Sequence, residues 1–175
     1  NLTAASRTDT LSLTSPPRSL AIGVGPVELP QYTNRPQIVT GGQSTELHPA
    51  QFAHWAEPLR ENFTRVLAEN LSTLLITDHV MLYPWKGPMA MDYQIIVEVT
   101  QFLGEPGGVA SLAALWSVIG KNGKEVLVSK KSVLNESISS QDYEAFAATM
   151  SKLVTSLSRE IAGTLAQLPQ QPTRP

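Results

Sequence analysis

The stretch "DYQIIVEVTQFL", residues 92–103, alternates with a period of two. Tyr93, Ile95, Val97 and Val99 fall on one side, and Asp92, Gln94, Glu98 and Thr100 on the other. Aromatic and β-branched residues confined to one side describe a strand with one buried and one wet face. Glu105-Pro106-Gly107-Gly108 ends it, and 109–119 reads as the next strand. Asn122-Gly123 tolerates the positive φ of a type I′ hairpin turn, after which 126–134 returns. A shorter strand at 80–83 precedes this block and stops at Pro84.

Helical spacing flanks the strands. Trp55, Leu59, Phe63, Val66, Leu67, Leu71, Leu74 and Leu75 recur at steps of one, three and four, which makes one apolar stripe. Pro58 suits the first turn, where a missing N–H costs nothing. A second stripe runs through Tyr143, Phe146, Met150, Leu153, Val154, Leu157, Ile161 and Leu165, within a helix expected at 141–167 and capped by Ser139 or Ser140. Upstream, 20–29 and 37–40 read as strands, Gly41-Gly42 turns the chain, and 45–47 is expected to pair back. The order is strands, helix, four strands, helix. It predicts an α+β fold, a two-layer αβ sandwich whose mostly antiparallel or mixed sheet carries two long amphipathic helices on one face.

The chain has 175 residues, enough for one domain that buries roughly 70% of its unfolded surface. Residues 1–19 are rich in Ser, Thr and Pro and read as an arm or tether with one short strand at 9–13. Residues 20–168 form the domain, and 169–175, with three prolines, a disordered tail. A net charge of -2 gives no general attraction to nucleic acid or anionic lipid. No basic run interleaves with aromatics, so nucleic acid is not an expected partner. The absence of cysteine excludes thiol catalysis, thiolate metal sites and disulfides. No apolar run reaches the ~18 residues of a membrane span. The chain opens without a signal-peptide pattern, which leaves export open.

Catalytic signals are missing. His48, His54 and His79 lack the convergent spacing of a metal site, and Asp78-His79 has no nucleophile elbow beside it. Gly23-Val24-Gly25 is a fragment of a dinucleotide fingerprint, broken by Pro26 and Pro30. Gly120-Lys121-Asn122-Gly123-Lys124 lacks the hydroxyl residue of a phosphate loop. The expectation is a protein with no catalytic residue, no metal and no cofactor. Asn62 and Asn70 open two of four Asn-x-Ser/Thr sequons, but both lie on the first predicted helix. Trp116 sits in a strand and is expected in the core, whereas Trp85, between Pro84 and Lys86, reads as an exposed contact residue.

"IGVGPVELPQYTNRPQIVT", residues 22–40, carries Gly25-Pro26-Val27, Pro30-Gln31-Tyr32 and Arg35-Pro36-Gln37-Ile38-Val39. "HWAEPLRENFTRVLAENLSTLL", residues 54–75, carries a W-A-x-P-L helix opening and Asn70-Leu71 near its end. Together these resemble the signature segments of the ABC-type transport auxiliary lipoproteins, the group that includes paraquat-inducible protein C. Thr33 stands where that family typically has an apolar residue. The resemblance implies a non-catalytic periplasmic lipoprotein tethered to the outer membrane. Its partners would be the ABC transporter and membrane-bridging MCE-domain proteins of an intermembrane lipid transport system. The implied lipid anchor is an N-terminal cysteine that this chain does not contain, and a homo-oligomer is compatible with it. The alternative is a free-standing periplasmic domain that binds a lipid or small ligand between sheet and helices.

The segment between Pro30 and Pro36 suggests a contact tip. Two prolines fix φ and lower the entropy lost on docking, and Tyr and Arg are frequent at interface hot spots. Tyr32, Asn34 and Arg35, with Trp85 from the later loop, are the expected partner-binding residues.

Overall fold

Strand β5 (Tyr93–Gly104) holds the middle of the sheet. The computed structural model describes residues 2–4, 20–34, 37–41, 48–55, 57–87, 90–121 and 123–169. Tyr93, Ile95, Val97 and Val99 are buried, as their alternation predicts. Past Val99 the alternation changes phase. Val99 pairs with Ala114 and Gln101 with Ala113 of β6 (Val109–Gly120), leaving Thr100 as an extra residue. This bulge moves the inward positions to Phe102 and Gly104. Without it Phe102 would face water. β7 (Val126–Ser137) completes the antiparallel meander three residues later than its expected end. Asn122 lies outside the described residues, and Gly123 has the positive φ of the expected turn.

β1 (Ile22–Glu28) runs parallel to β5 on its other side, and β4 (Val80–Leu82) adds parallel to β1. The sheet order is β4-β1-β5-β6-β7, a mixed sheet. β1 carries its own bulge. Val24 pairs with Ile95 and Val27 with Val97, so Gly25-Pro26 adds a residue and Val27 returns to the buried face. Gly25 sits at φ +120°, and a Cβ there would lie 2.6 Å from the Cβ of Tyr83. Glycine is therefore required twice, by backbone and by space.

β2 (Gln37–Thr40) falls where expected. Its antiparallel partner is β3 (His48–His54); the expected pairing segment, 45–47, lies outside the described residues. β3 was not foreseen. Its sequence, HPAQFAH, has no alternation and contains a proline, which a two-stranded ribbon tolerates.

Helix α1 (Leu59–Leu75) begins four residues after Trp55, with Pro58 at its N-cap. Helix α2 (Tyr143–Gln167) is capped by Asp142, whose carboxylate accepts the Ala145 N–H at 2.7 Å. Ser140 donates its hydroxyl to Asp142 rather than capping the helix itself. Both helices lie on one face of the sheet and share one core with Ile22, Val24, Ile95, Val97, Leu112 and Trp116. The contact between the helices is partly polar. Asn70 is fully buried and donates to Ser158 at 3.1 Å. Asn62 is buried too, so neither sequon asparagine on α1 is accessible in the folded chain. No helix is long and apolar enough to cross a membrane, among the described residues.

Gly25→Ala should cost about 2–5 kcal/mol, from the disfavoured φ and the overlap with Tyr83 together. Gly163 lies in α2 with open space where a methyl group would sit, so Gly163→Ala should instead stabilise by roughly 0.5–1 kcal/mol. Urea melts of the two variants check the contrast; equal effects would contradict it.

Candidate functional site

Two stretches that are distant in sequence end at the same place. β1 stops at Glu28, and Pro30 opens a 3-10 turn over Gln31–Thr33. The turn closes on itself: the Thr33 hydroxyl donates to the Pro30 carbonyl at 2.6 Å, and the Asn34 N–H to the Gln31 carbonyl at 3.0 Å. The chain around Trp55, Pro58 and Leu59 arrives opposite, at the start of α1. Between them lies a cavity of about 760 Å³. Leu29, Pro30, Trp55, Pro58 and Leu59 give it apolar walls, and Gln31, Thr33 and Asn34 give it polar ones. Glu28, Glu57, Arg60 and Glu61 supply its charges.

The charges are unevenly matched. Glu57 accepts from Arg65 at 3.1 Å and from the Asn62 amide, and these hydrogen bonds hold its carboxyl below the usual carboxylate range. Arg65 also pairs with Glu69 at 2.8 Å. Glu28, Arg60 and Glu61 have no ion-pair partner among the described residues.

The N-terminal end of the chain docks beside this cavity. Leu2 is buried, and its N–H donates to the Asn62 side-chain carbonyl at 3.2 Å. The Thr3 N–H donates to the Ser151 hydroxyl at 3.0 Å. The outer end of the expected arm is thus clamped between α1 and α2; residues 5–19, with the strand expected at 9–13, lie outside the described residues. At the other end of the domain, the Pro169 carbonyl accepts the Tyr93 hydroxyl at 3.1 Å.

The structure separates the four expected contact residues. Asn34 is exposed and lines the cavity. Tyr32 is half-buried and points the other way: its hydroxyl accepts the Phe102 N–H at 2.9 Å, next to the β5 bulge. Its role is to brace the turn against the sheet. Arg35 lies outside the described residues. Trp85 is across the sheet. It packs on Gly23, from the face opposite the inward Ile22 and Val24, and meets Tyr83 edge-to-face at 5.4 Å. Trp85 is half-buried, so it serves as cover for a glycine as well as an outward contact. The residues that sequence reasoning did not single out are Trp55, Glu57, Pro58 and Leu59. Their signal was the W-A-x-P-L stretch, read only as a helix opening. No group of three His, Asp or Glu side chains that could hold a metal occurs among the described residues.

The chain belongs to the family of ABC-type transport auxiliary lipoprotein components, whose model matches residues 1–162. No curated protein matches it. Among solved structures it is similar to protein XCC0632 from Xanthomonas campestris, at 18% identity over 90% of each chain and a TM-score of 0.73. A crystal structure described as an uncharacterized protein is 20% identical over 86% of this chain and 94% of its own, with a TM-score of 0.72. The hypothetical protein CT253 from Chlamydia trachomatis is 13% identical, covering 85% of this chain and 96% of its own, with a TM-score of 0.52. These likenesses support the fold. Family membership supports a lipoprotein of the cell envelope associated with an ABC transport system.

Burial raises the Tyr32 phenol above its ordinary 10.0, with the Phe102 bond pulling the other way. Burial also raises Tyr93, and the Asp92 charge adds to it. The folded state therefore holds these protons more tightly than the unfolded chain. The stability they bring is complete below about pH 10 and falls as the pH rises past it. Tyr32→Phe leaves the Phe102 N–H without its acceptor and should cost about 1–3 kcal/mol at neutral pH. It should also remove one late-ionising phenol from a spectrophotometric alkaline titration. An unchanged melt and titration would show that the brace is not formed.

Proposed function

We propose that this chain is a non-catalytic docking component of an ABC/MCE-type intermembrane lipid transport system. It works in the bacterial periplasm, tethered to the outer membrane, and holds a membrane-bridging MCE-domain partner at the cavity between the Gln31–Thr33 turn and the start of α1. The observation that carries this reading is the convergence of the two signature segments on one cavity. A family motif that only built the core would have no reason to place Pro30, Asn34, Trp55 and Pro58 around open space. The prolines and the closed turn make the walls rigid, so a partner segment loses its own entropy on docking but little of the receptor's.

The second reading, a free-standing domain binding lipid between sheet and helices, needs an apolar cavity under the helices. That space is filled by Phe63, Leu67, Leu71, Trp116, Leu153 and Leu157, all buried. The cavity lies instead at the end of the sheet, and its carboxylates are poor company for an acyl chain.

Photo-crosslinking in the native envelope tests the docking reading. A photo-reactive phenylalanine at position 31, where Gln31 is exposed on the cavity wall, should give an adduct with an MCE-domain protein. The same group at position 98, on the outer sheet face, should not. Adducts from position 98 or position 85, with none from position 31, would move the docking surface elsewhere.

A further inference from the structure

The chemistry of the cavity wall selects the class of segment it holds. Pro58 offers no side-chain acceptor at the N-cap of α1. The first intrahelical bond runs from the Asn62 N–H to the Pro58 carbonyl. The N–H groups of Leu59, Arg60 and Glu61 therefore have no helix partner, and these three residues line the cavity. Donors in a row suit the carbonyl oxygens of an extended chain.

The side-chain charges run the other way. Glu28 stands at the cavity's β1 edge, and in the sheet it is the register partner of Glu98. Both are exposed, and neither has an ion-pair partner among the described residues. Like charges directly opposite each other across neighbouring strands repel. Glu61 adds a carboxylate from the α1 side, and Glu57 is the only acidic group of the wall already matched, by Arg65. Arg60 alone opposes the unmatched carboxylates. An incoming cation would relieve the Glu28–Glu98 repulsion and meet Glu61.

Simple ligands satisfy only half of this wall. A free anion would face the carboxylates, and a metal ion would face the N–H donors. An acyl chain would strip water from both. A peptide backbone offers carbonyls to the donors, and a basic side chain offers a cation to the carboxylates. The apolar walls at Leu29, Pro30 and Trp55 accept the neighbouring side chains.

We propose that the cavity binds an extended segment of the partner that carries an arginine, its guanidinium meeting Glu28 and Glu61 and its backbone carbonyls meeting the first turn of α1. This deepens the docking reading and rests on it. The test titrates the isotope-labelled protein with two capped pentapeptides, Ala-Leu-Arg-Leu-Ala and its citrulline counterpart, followed by amide NMR shifts. Citrulline keeps the shape and removes the charge. Shifts should appear at Leu59, Arg60 and Glu61. The arginine peptide should bind at least about tenfold more tightly, as a charge-assisted bond implies. The double variant Glu28→Gln with Glu61→Gln should erase that preference while leaving the weaker citrulline binding unchanged. Equal affinity for the two peptides overturns the proposal, as does the absence of shifts at the first turn of α1 at peptide concentrations of about 5 mM, beyond the millimolar range of the weakest specific binding. An adduct from position 31 together with equal peptide affinities keeps the docking reading and removes the arginine. A clear arginine preference with no adduct keeps the cation site and removes the MCE-domain partner.

Discussion

The kink at Gly25 sets the geometry on which the cavity depends. Its φ of +120° and its close approach to Tyr83 allow β1 one extra residue. The Gln94 side-chain amide fixes the kink by donating to the Gly25 carbonyl at 2.8 Å. Because of it, Val27 re-enters the core and Glu28 lies beside Glu98 at the sheet's end. The chain then leaves the sheet at Leu29 and Pro30, opposite the first turn of α1. The G-P-V signature is thus the hinge that aims the next signature, P-x-Y, at the cavity. Tyr32 holds that aim by accepting the Phe102 N–H from the second bulge, in β5. Two local irregularities in adjacent strands therefore position one turn.

The other wall of the cavity is fixed by polar contacts. Asn62 accepts from the Leu2 N–H and donates to Glu57, so the chain's N-terminal end, α1 and the charged rim are tied at one side chain. Asn70 does the same work one helical face along, binding α1 to Ser158 of α2. Buried amides of this kind contribute little net stability each, but a slipped helix would leave them without partners. They favour a single register between the helices, and with it a single position for the first turn of α1.

Much of the fold was legible because its signals are local. The alternation from Tyr93 to Val99 and the two apolar stripes identify β5, α1 and α2 with ends correct to within a few residues. The extra residue at Thr100 was not legible, since a bulge is defined by the pairing with β6 and not by β5 alone. β3 escaped because nothing in HPAQFAH alternates. Leu2 looked like part of a polar arm; only the pocket between two helices makes it a core residue. At the site, the two signature stretches could be recognised but not brought together. Tyr32 shows why: between two prolines its ring and hydroxyl look like a contact tip, and the partner that claims the hydroxyl is a strand seventy residues later. Asn34 keeps its place at the candidate site, while Trp85 belongs to the opposite sheet face.

The central claim is that a partner covers the cavity between these two segments. Hydrogen–deuterium exchange of the protein alone and in complex with its envelope partner addresses it directly. In the free protein the amides of Leu59, Arg60 and Glu61 have no helix acceptor and exchange quickly. The account predicts that the complex protects these three amides and the segment from Glu28 to Asn34, with little change along β7. Protection confined to the free edge of β7 or to the loop around Trp85, with the first turn of α1 still exchanging quickly, would contradict it.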